Sequence, residues 1–290
     1  MKDKIVNVSS WEEMMEEAPG TKDKKNIYEP GTKEKYMIKY PTETTDGKIL
    51  GENWAEKLAT EIGKIIGIPV QESFLATKEE KQGVLIKYSL KEHEILEQAS
   101  ILLKASFPDF IVDKPIFYTF NSIEYCIKGK GLKEERKILE DFYKMIFFDA
   151  VIGNTDRHCE NWGLAKNYKN KTNRLIEAYD NSSSLGRDKN TGHKLPKTEE
   201  EIKRYARKAK SSIRVNEKER IDHYSVLRTI LEDYPEKKDT FRDMIEKLTD
   251  DKVNCIINNI PEDFMEEKIK DFVKKLIKER INQIKEILNE

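Results

Sequence analysis

The chain has 290 residues, of which 37% are charged and 37% hydrophobic, and its 53 Lys and Arg against 54 Asp and Glu leave a formal net charge of −1. That length can bury a sizeable core as one large domain or two apposed lobes, and apolar residues recur along nearly all of it, so disorder is not the default. Balanced charge excludes a global field for nucleic acid or an anionic membrane, and three dispersed cysteines without a CxxC pair indicate neither a disulfide framework nor a zinc ribbon.

Met1 to Trp11 lacks an apolar leader core, and no run approaches the roughly 18 apolar residues of a membrane span, so the expected setting is cytoplasmic with no membrane partner. Strand-like runs come first: Tyr36 to Tyr40, Ser73 to Ala76 and Val84 to Ser89, rich in aromatic and β-branched residues. Between the first two, Trp54, Leu58, Ile62, Ile65 and Ile66 recur near a period of 3.6, and Gly67 with Pro69 supplies the stop of a helix. Beyond Leu90 the pattern turns mainly helical, with a helix expected over Ile95 to Lys104 and a strongly apolar one from Arg136 to about Ile152. Trp162 to Ala165 and Arg174 to Tyr179 read as a hairpin, Asn181 to Glu200 as a polar surface loop, and Phe264 to Leu288 as an amphipathic helix. The order is that of an α+β chain with a small β-rich part, residues 1–88, carrying one main helix, and a larger, mainly helical part, residues 89–290.

The segment FDAVIGNTDRHCENWGL, ending at Leu164, carries the chemistry. Asp156 falls in a turn after the apolar helix, Asn161 follows five residues later, and Asp180 lies beyond the hairpin. Phosphoryl transfer needs a carboxylate to orient the attacking hydroxyl and hard oxygen ligands for Mg²⁺, and these three donors can supply both. A protein-kinase catalytic loop has the same spacing in the same context. The bland alternative is a set of caps and turn formers. Arg157 and His158 suit support of the turn, with His158 expected to hold Asp156, and the three serines from Ser182 are either turn formers or phosphorylation sites.

GNTDRHCEN, from Gly153 to Asn161, followed by AYDNSSS from Ala178, resembles the HipA-like kinases, bacterial Ser/Thr kinases often found as toxins of toxin–antitoxin pairs. The resemblance implies a bilobal protein-kinase-like fold, ATP and Mg²⁺, Asp156 as catalytic base, and Asn161 and Asp180 as metal ligands. More loosely, Lys39 in YMIKY matches the lysine that contacts nucleotide phosphates, and Glu56, with Glu52 as the competing choice, matches the glutamate of the following helix. Ile86 to Leu90, with Ile86 and Tyr88 foremost, is expected as the hinge whose backbone bonds the adenine edge. The phosphate-covering loop is expected over Glu29 to Lys35, where only Gly31 is present and Thr32 is the candidate for autophosphorylation. A protein substrate and an antitoxin-type regulatory partner follow from the family; a small-molecule or lipid kinase and a catalytically silent kinase-like module are the alternatives. No basic recognition helix for direct nucleic-acid binding is evident.

Overall fold

The computed structural model describes residues 2–15, 23–112, 117–191 and 194–290. Six strands form the N-terminal sheet: β1 (Val6–Asn7), β2 (Glu12–Glu13), β3 (Lys24–Tyr28), β4 (Lys35–Lys39), β5 (Ser73–Lys78) and β6 (Lys81–Lys87). Their order is β1-β5-β6-β4-β3-β2, antiparallel throughout except where β1 runs parallel to β5. Strand alternation divides the sheet's two faces. Tyr36, Ile38 and Tyr40 join Val8, Ile27, Ala76 and Leu85 in a small core on one face. Met37 and Lys39 therefore point to the other face, together with their cross-strand neighbours Ile86 and Val84.

Helix α1 (Glu52–Ile66) packs against β5 and β6. It ends at Gly67, whose φ of 82° is left-handed and whose N–H bonds the Gly63 carbonyl at 3.0 Å. A smaller antiparallel sheet follows, β7 (Glu94–Gln98), β8 (Gly163–Asn167) and β9 (Thr172–Leu175), in that spatial order. The rest is helical: α2 (Ala99–Ser106), α3 (Phe120–Gly129), α4 (Glu135–Ile152), α5 (Glu199–Lys208), α6 (His223–Asp233), α7 (Lys237–Glu246), α8 (Asp250–Asn259) and α9 (Glu267–Asn289). The stripe of α9 from Ile269 to Leu288 is buried against α4 to α8, and one continuous apolar core runs from α1 through α4 to α9. No helix among the described residues is long and apolar enough to cross a membrane.

Two expectations fail here. The helix expected from Ile95 begins only at Ala99, because Glu94 to Gln98 are drawn into pairing with β8, a long-range partner that local periodicity cannot register. The tract from Asn181 is not a surface loop at its start: Asn181 to Leu185 are all buried, and the three serines with them.

Candidate active site

The turn after α4 is fixed from three sides. Gly153 ends the helix with φ 66°, and a Cβ there would lie 2.2 Å from Arg280 Nη2, so glycine is required both by conformation and by space. Asn154 Oδ1 accepts from the Asp156 N–H at 3.0 Å, while its amide donates to Asp149 Oδ1 at 3.1 Å. The Thr155 carbonyl accepts from Ser212 Oγ at 2.9 Å and from Arg220, and the Thr155 N–H bonds Ser183 O at 3.1 Å. Beneath it, His223 Nε2 meets the Asn154 carbonyl at 2.8 Å; a carbonyl only accepts, so this imidazole is protonated on Nε2. Burial first and the nearby Arg280 charge second, against the weaker pull of the Asn154 carbonyl and Asp222, depress the His223 pKa to about 3, which keeps it neutral.

Arg157 is the organising side chain. Its guanidinium is 1% exposed and grips Asp149 with two hydrogen bonds, Nε to Oδ2 at 3.0 Å and Nη2 to Oδ1 at 2.9 Å. Three further bonds reach Asn161 O at 2.9 Å, Tyr179 O at 2.6 Å and Asn181 Oδ1 at 2.6 Å. Burial alone would lower its pKa, but the Asp149 carboxylate outweighs that and holds it above the ordinary value. One side chain thus ties the end of α4, the Asp156–Asn161 turn and the segment around Asp180 to one another.

Within this frame Asn161 Nδ2 donates to the Asp156 carbonyl at 2.8 Å, which leaves its Oδ1 without a donor among the described residues. The Asp156 carboxylate is half-buried and likewise accepts no hydrogen bond among them. Asp180 sits at φ 53°, a left-handed conformation that costs an ordinary residue about 1 kcal/mol and that Asp tolerates better than most. Its Oδ1 pairs with Lys39 Nζ at 3.2 Å, joining the N-terminal sheet to the helical part.

Glu56 and Glu52 separate cleanly. Glu52 accepts from Thr42 N–H at 2.7 Å and pairs with Arg187, whereas Glu56, one turn further along α1, accepts from Asn181 Nδ2 at 3.1 Å. Glu56 is fully buried, and its Oε2 has no hydrogen-bond partner among the described residues. Burial raises its pKa, Lys39 opposes this and Asp180 reinforces it. Lys39 and Glu56 are near enough to influence each other, yet Lys39 makes its ion pair with Asp180.

His158 does not hold the Asp156 side chain: its Nδ1 accepts from the Glu160 N–H at 3.2 Å. His223, Asp149 and Asn154 brace the turn instead. Asp149 had a legible signal, a lone carboxylate inside the apolar run IFFDAVI that must find a buried cation. His223 had none, being 69 residues from the carbonyl it supports.

At the expected hinge, the Ile86 backbone and the Tyr88 N–H are already paired within the sheet. Strand β6 continues to Lys87 with Ile86 facing Met37 and Ser73 in the neighbouring strands, and the Tyr88 N–H is taken by Lys35 O at 3.1 Å. Their side chains remain on the Lys39 face: Ile86 by strand alternation, and Tyr88 through its hydroxyl on Asn26 Oδ1 at 2.7 Å.

The register also sets which connections lie near Lys39. Lys39 ends β4 opposite Lys24, the start of β3, so the connection at the Lys39 end of the sheet is the one between β2 and β3. The Glu29–Glu34 turn lies at the far end of β4, about 13 Å along the strand at 3.3 Å per residue. There Thr32 Oγ1 accepts from the Glu34 N–H at 3.2 Å and bonds Glu29, as a turn threonine does. Residues 16–22 of the β2–β3 connection lie outside the described residues.

The profile of the HipA-like C-terminal domain matches residues 16–256. A serine/threonine-protein kinase of Helicobacter pylori, CtkA, is 25% identical over 276 residues, covering 87% of this chain and 77% of the relative. The crystal structure of the H. pylori proinflammatory kinase CtkA superposes with a TM-score of 0.79 at 21% identity, covering 99% of both chains. HipA of a Shewanella oneidensis toxin–antitoxin system, solved with HipB and operator DNA, gives a TM-score of 0.62 at 10% identity over 93% of this chain and 64% of HipA. The curled N-terminal sheet and helical C-terminal part are therefore the kinase-like α+β architecture of these proteins. Matched by that profile over most of its length, the chain belongs to the HipA-like C-terminal domain family.

Proposed function

We propose that the chain is an ATP- and Mg²⁺-dependent kinase that transfers the γ-phosphate to a Ser or Thr hydroxyl of a protein, with residues 1–88 as the nucleotide-binding lobe and 89–290 as the catalytic lobe. The observation that carries the reading is the Arg157 clamp, which sets Asp156 and Asn161 beside the Asp180 segment while Asp180 meets Lys39 at 3.2 Å. A carboxylate used only as a cap or turn former would be hydrogen-bonded in its turn; that of Asp156 accepts no hydrogen bond among the described residues, which suits a base.

The donor set fits magnesium. Mg²⁺ is commonly held by one or two carboxylates, with phosphate oxygens and water completing an octahedron. Among the described residues no three His, Cys, Asp or Glu side chains gather, so the chain brings two oxygen donors, Asp180 and the Asn161 amide. When bound, the ion would neutralise charge on the phosphates. Asp156 orients the acceptor hydroxyl and takes its proton as it attacks. Lys39 leaves Asp180 for phosphate oxygens, and Glu56, whose Oε2 has no hydrogen-bond partner among the described residues, steadies its ammonium. Ile86 and Tyr88 contribute side chains to the roof over the nucleotide, Arg157 positions, and His158 shapes the turn.

Incubation with labelled ATP, Mg²⁺ and a protein acceptor should give transfer that is lost in Asp156→Ala and Asp180→Ala, by about 10²-fold or more for the base. Equal transfer by the variants would sink the assignment. The Shewanella HipA structure contains HipB, which makes an antitoxin-type protein the partner to seek for this chain as well.

A further inference from the structure

Two adjoining clefts run alongside the Asp156 turn and share Tyr205 and Lys208. The inner one, about 260 Å³, is walled by Gly153 and Thr155, the residue before Asp156, and by Ser183 and Ser184. The outer one, about 320 Å³, opens along α5. Together their linings hold six cationic side chains, from Arg187 to Arg280, against the carboxylates of Asp188 and Glu201. Both carboxylates are engaged: Asp188 accepts from the Tyr205 hydroxyl and pairs with Lys189 at 3.2 Å, and Glu201 closes the capping box of α5.

Arg280 is the telling group. It is 2% exposed and makes no ion pair among the described residues. Its hydrogen bonds are long ones to Ala150 O at 3.3 Å and Ala206 O at 3.2 Å, and its buried Nε has no partner among the described residues. Those carbonyls belong to the last turns of α4 and α5, whose dipoles offset roughly half a charge each at best. A buried guanidinium is ordinarily matched by a carboxylate or phosphate, because desolvating it alone is costly. Lys208, on the exposed rim, also has no ion-pair partner among the described residues.

We propose that the inner cleft is a substrate subsite that receives an oxyanion-bearing side chain, carboxylate or phosphate, of the acceptor polypeptide, held by Arg280 and Lys208 beside the hydroxyl presented to Asp156. The inference rests on the kinase reading for what happens to that hydroxyl, but the pocket itself binds without nucleotide. It makes the enzyme selective for serines or threonines flanked by acidic or already phosphorylated residues.

The test is fluorescence anisotropy with the full chain, free of nucleotide, titrated into three labelled serine peptides whose flanks are glutamate, phosphoserine or glutamine. Both anionic peptides are expected to bind about tenfold or more tightly than the glutamine peptide, since each would gain a charge-assisted contact, and to lose that margin in Lys208→Glu and Arg280→Gln. A margin for phosphoserine over glutamate identifies a primed substrate, and equal binding of the two an acidic one. Arg280→Gln alters a buried site, so its thermal unfolding is followed in parallel; Lys208→Glu is exposed and carries the test if the other variant does not fold. Equal binding of all three peptides, or a preference that survives in Lys208→Glu, overturns the proposal. Transfer to a protein acceptor without any anionic preference removes the subsite alone, whereas anionic preference without transfer removes the kinase reading and leaves the subsite standing.

Discussion

Replacing Arg157 by alanine tests the structural claim on which the site depends. The substitution removes five hydrogen bonds and leaves Asp149, 3% exposed, with an amide from Asn154 as its remaining side-chain donor. Summing charge-assisted bonds would overstate the loss, because water enters the space and the carbonyls of Asn161 and Tyr179 recover part of their solvation. Breaking a buried ion pair from one side is the better guide, and sets the cost at about 3–5 kcal/mol, a large share of the roughly 5–15 kcal/mol that holds a domain of this kind together. Urea unfolding at neutral pH, followed by far-ultraviolet circular dichroism, should show that loss. Arg157→Lys should fall between, since an ammonium keeps the charge but not the fork. The double variant Arg157→Met with Asp149→Leu should be less destabilised than the sum of the two single changes, by more than about 1.5 kcal/mol. A loss under about 1 kcal/mol for Arg157→Ala, or strict additivity in the cycle, would refute the view that this guanidinium holds the turn and the Asp180 segment together.

Two pH dependences follow from buried titratable groups with opposite signs. Glu56 has a raised pKa, chiefly from burial, so the folded state holds a proton that the unfolded chain gives up above its ordinary 4.5; its contribution to stability is complete below that pH and is lost as pH rises through the folded value. Glu56→Gln keeps the acceptor for Asn181 and removes the ionisation, so unfolding midpoints measured from pH 5 to 8 should decline less with pH in the variant than in the parent; parallel profiles would contradict the assignment. His223, depressed from 6.5 to about 3 by burial first and the Arg280 charge second, takes up its proton in the unfolded chain but not in the folded one as pH falls below 6.5. Stability should drop by up to about 1.4 kcal/mol per pH unit between roughly pH 6 and 3 on this account, and His223→Gln should flatten that slope in acid unfolding curves.

Much of the site was legible along the chain because its parts are local. The apolar period of α1 and α4, the stop at Gly67 and the Asp156 to Asn161 spacing depend on neighbours within a few residues, and the helices appear within two residues of where that period puts them. The partners of Glu52 and Glu56 were not local, since both lie on the buried part of α1: Glu52 meets Thr42 and Arg187, whereas Glu56 meets Asn181, 125 residues away. Strand pairing settled the rest. Lys39 opposite Lys24 put the Lys39 end of the sheet beside the β2–β3 connection and not the Glu29–Glu34 turn, pairing with β8 turned Glu94 to Gln98 from helix to strand, and the neighbours of β6 took up the Ile86 backbone and the Tyr88 N–H. A polar run such as Asn181 to Ser184 reads as surface in any window of sequence. It is buried here because its hydrogen-bond partners, from Glu56 and Arg157 to Thr155, arrive from other elements, and only the folded chain brings such partners within reach.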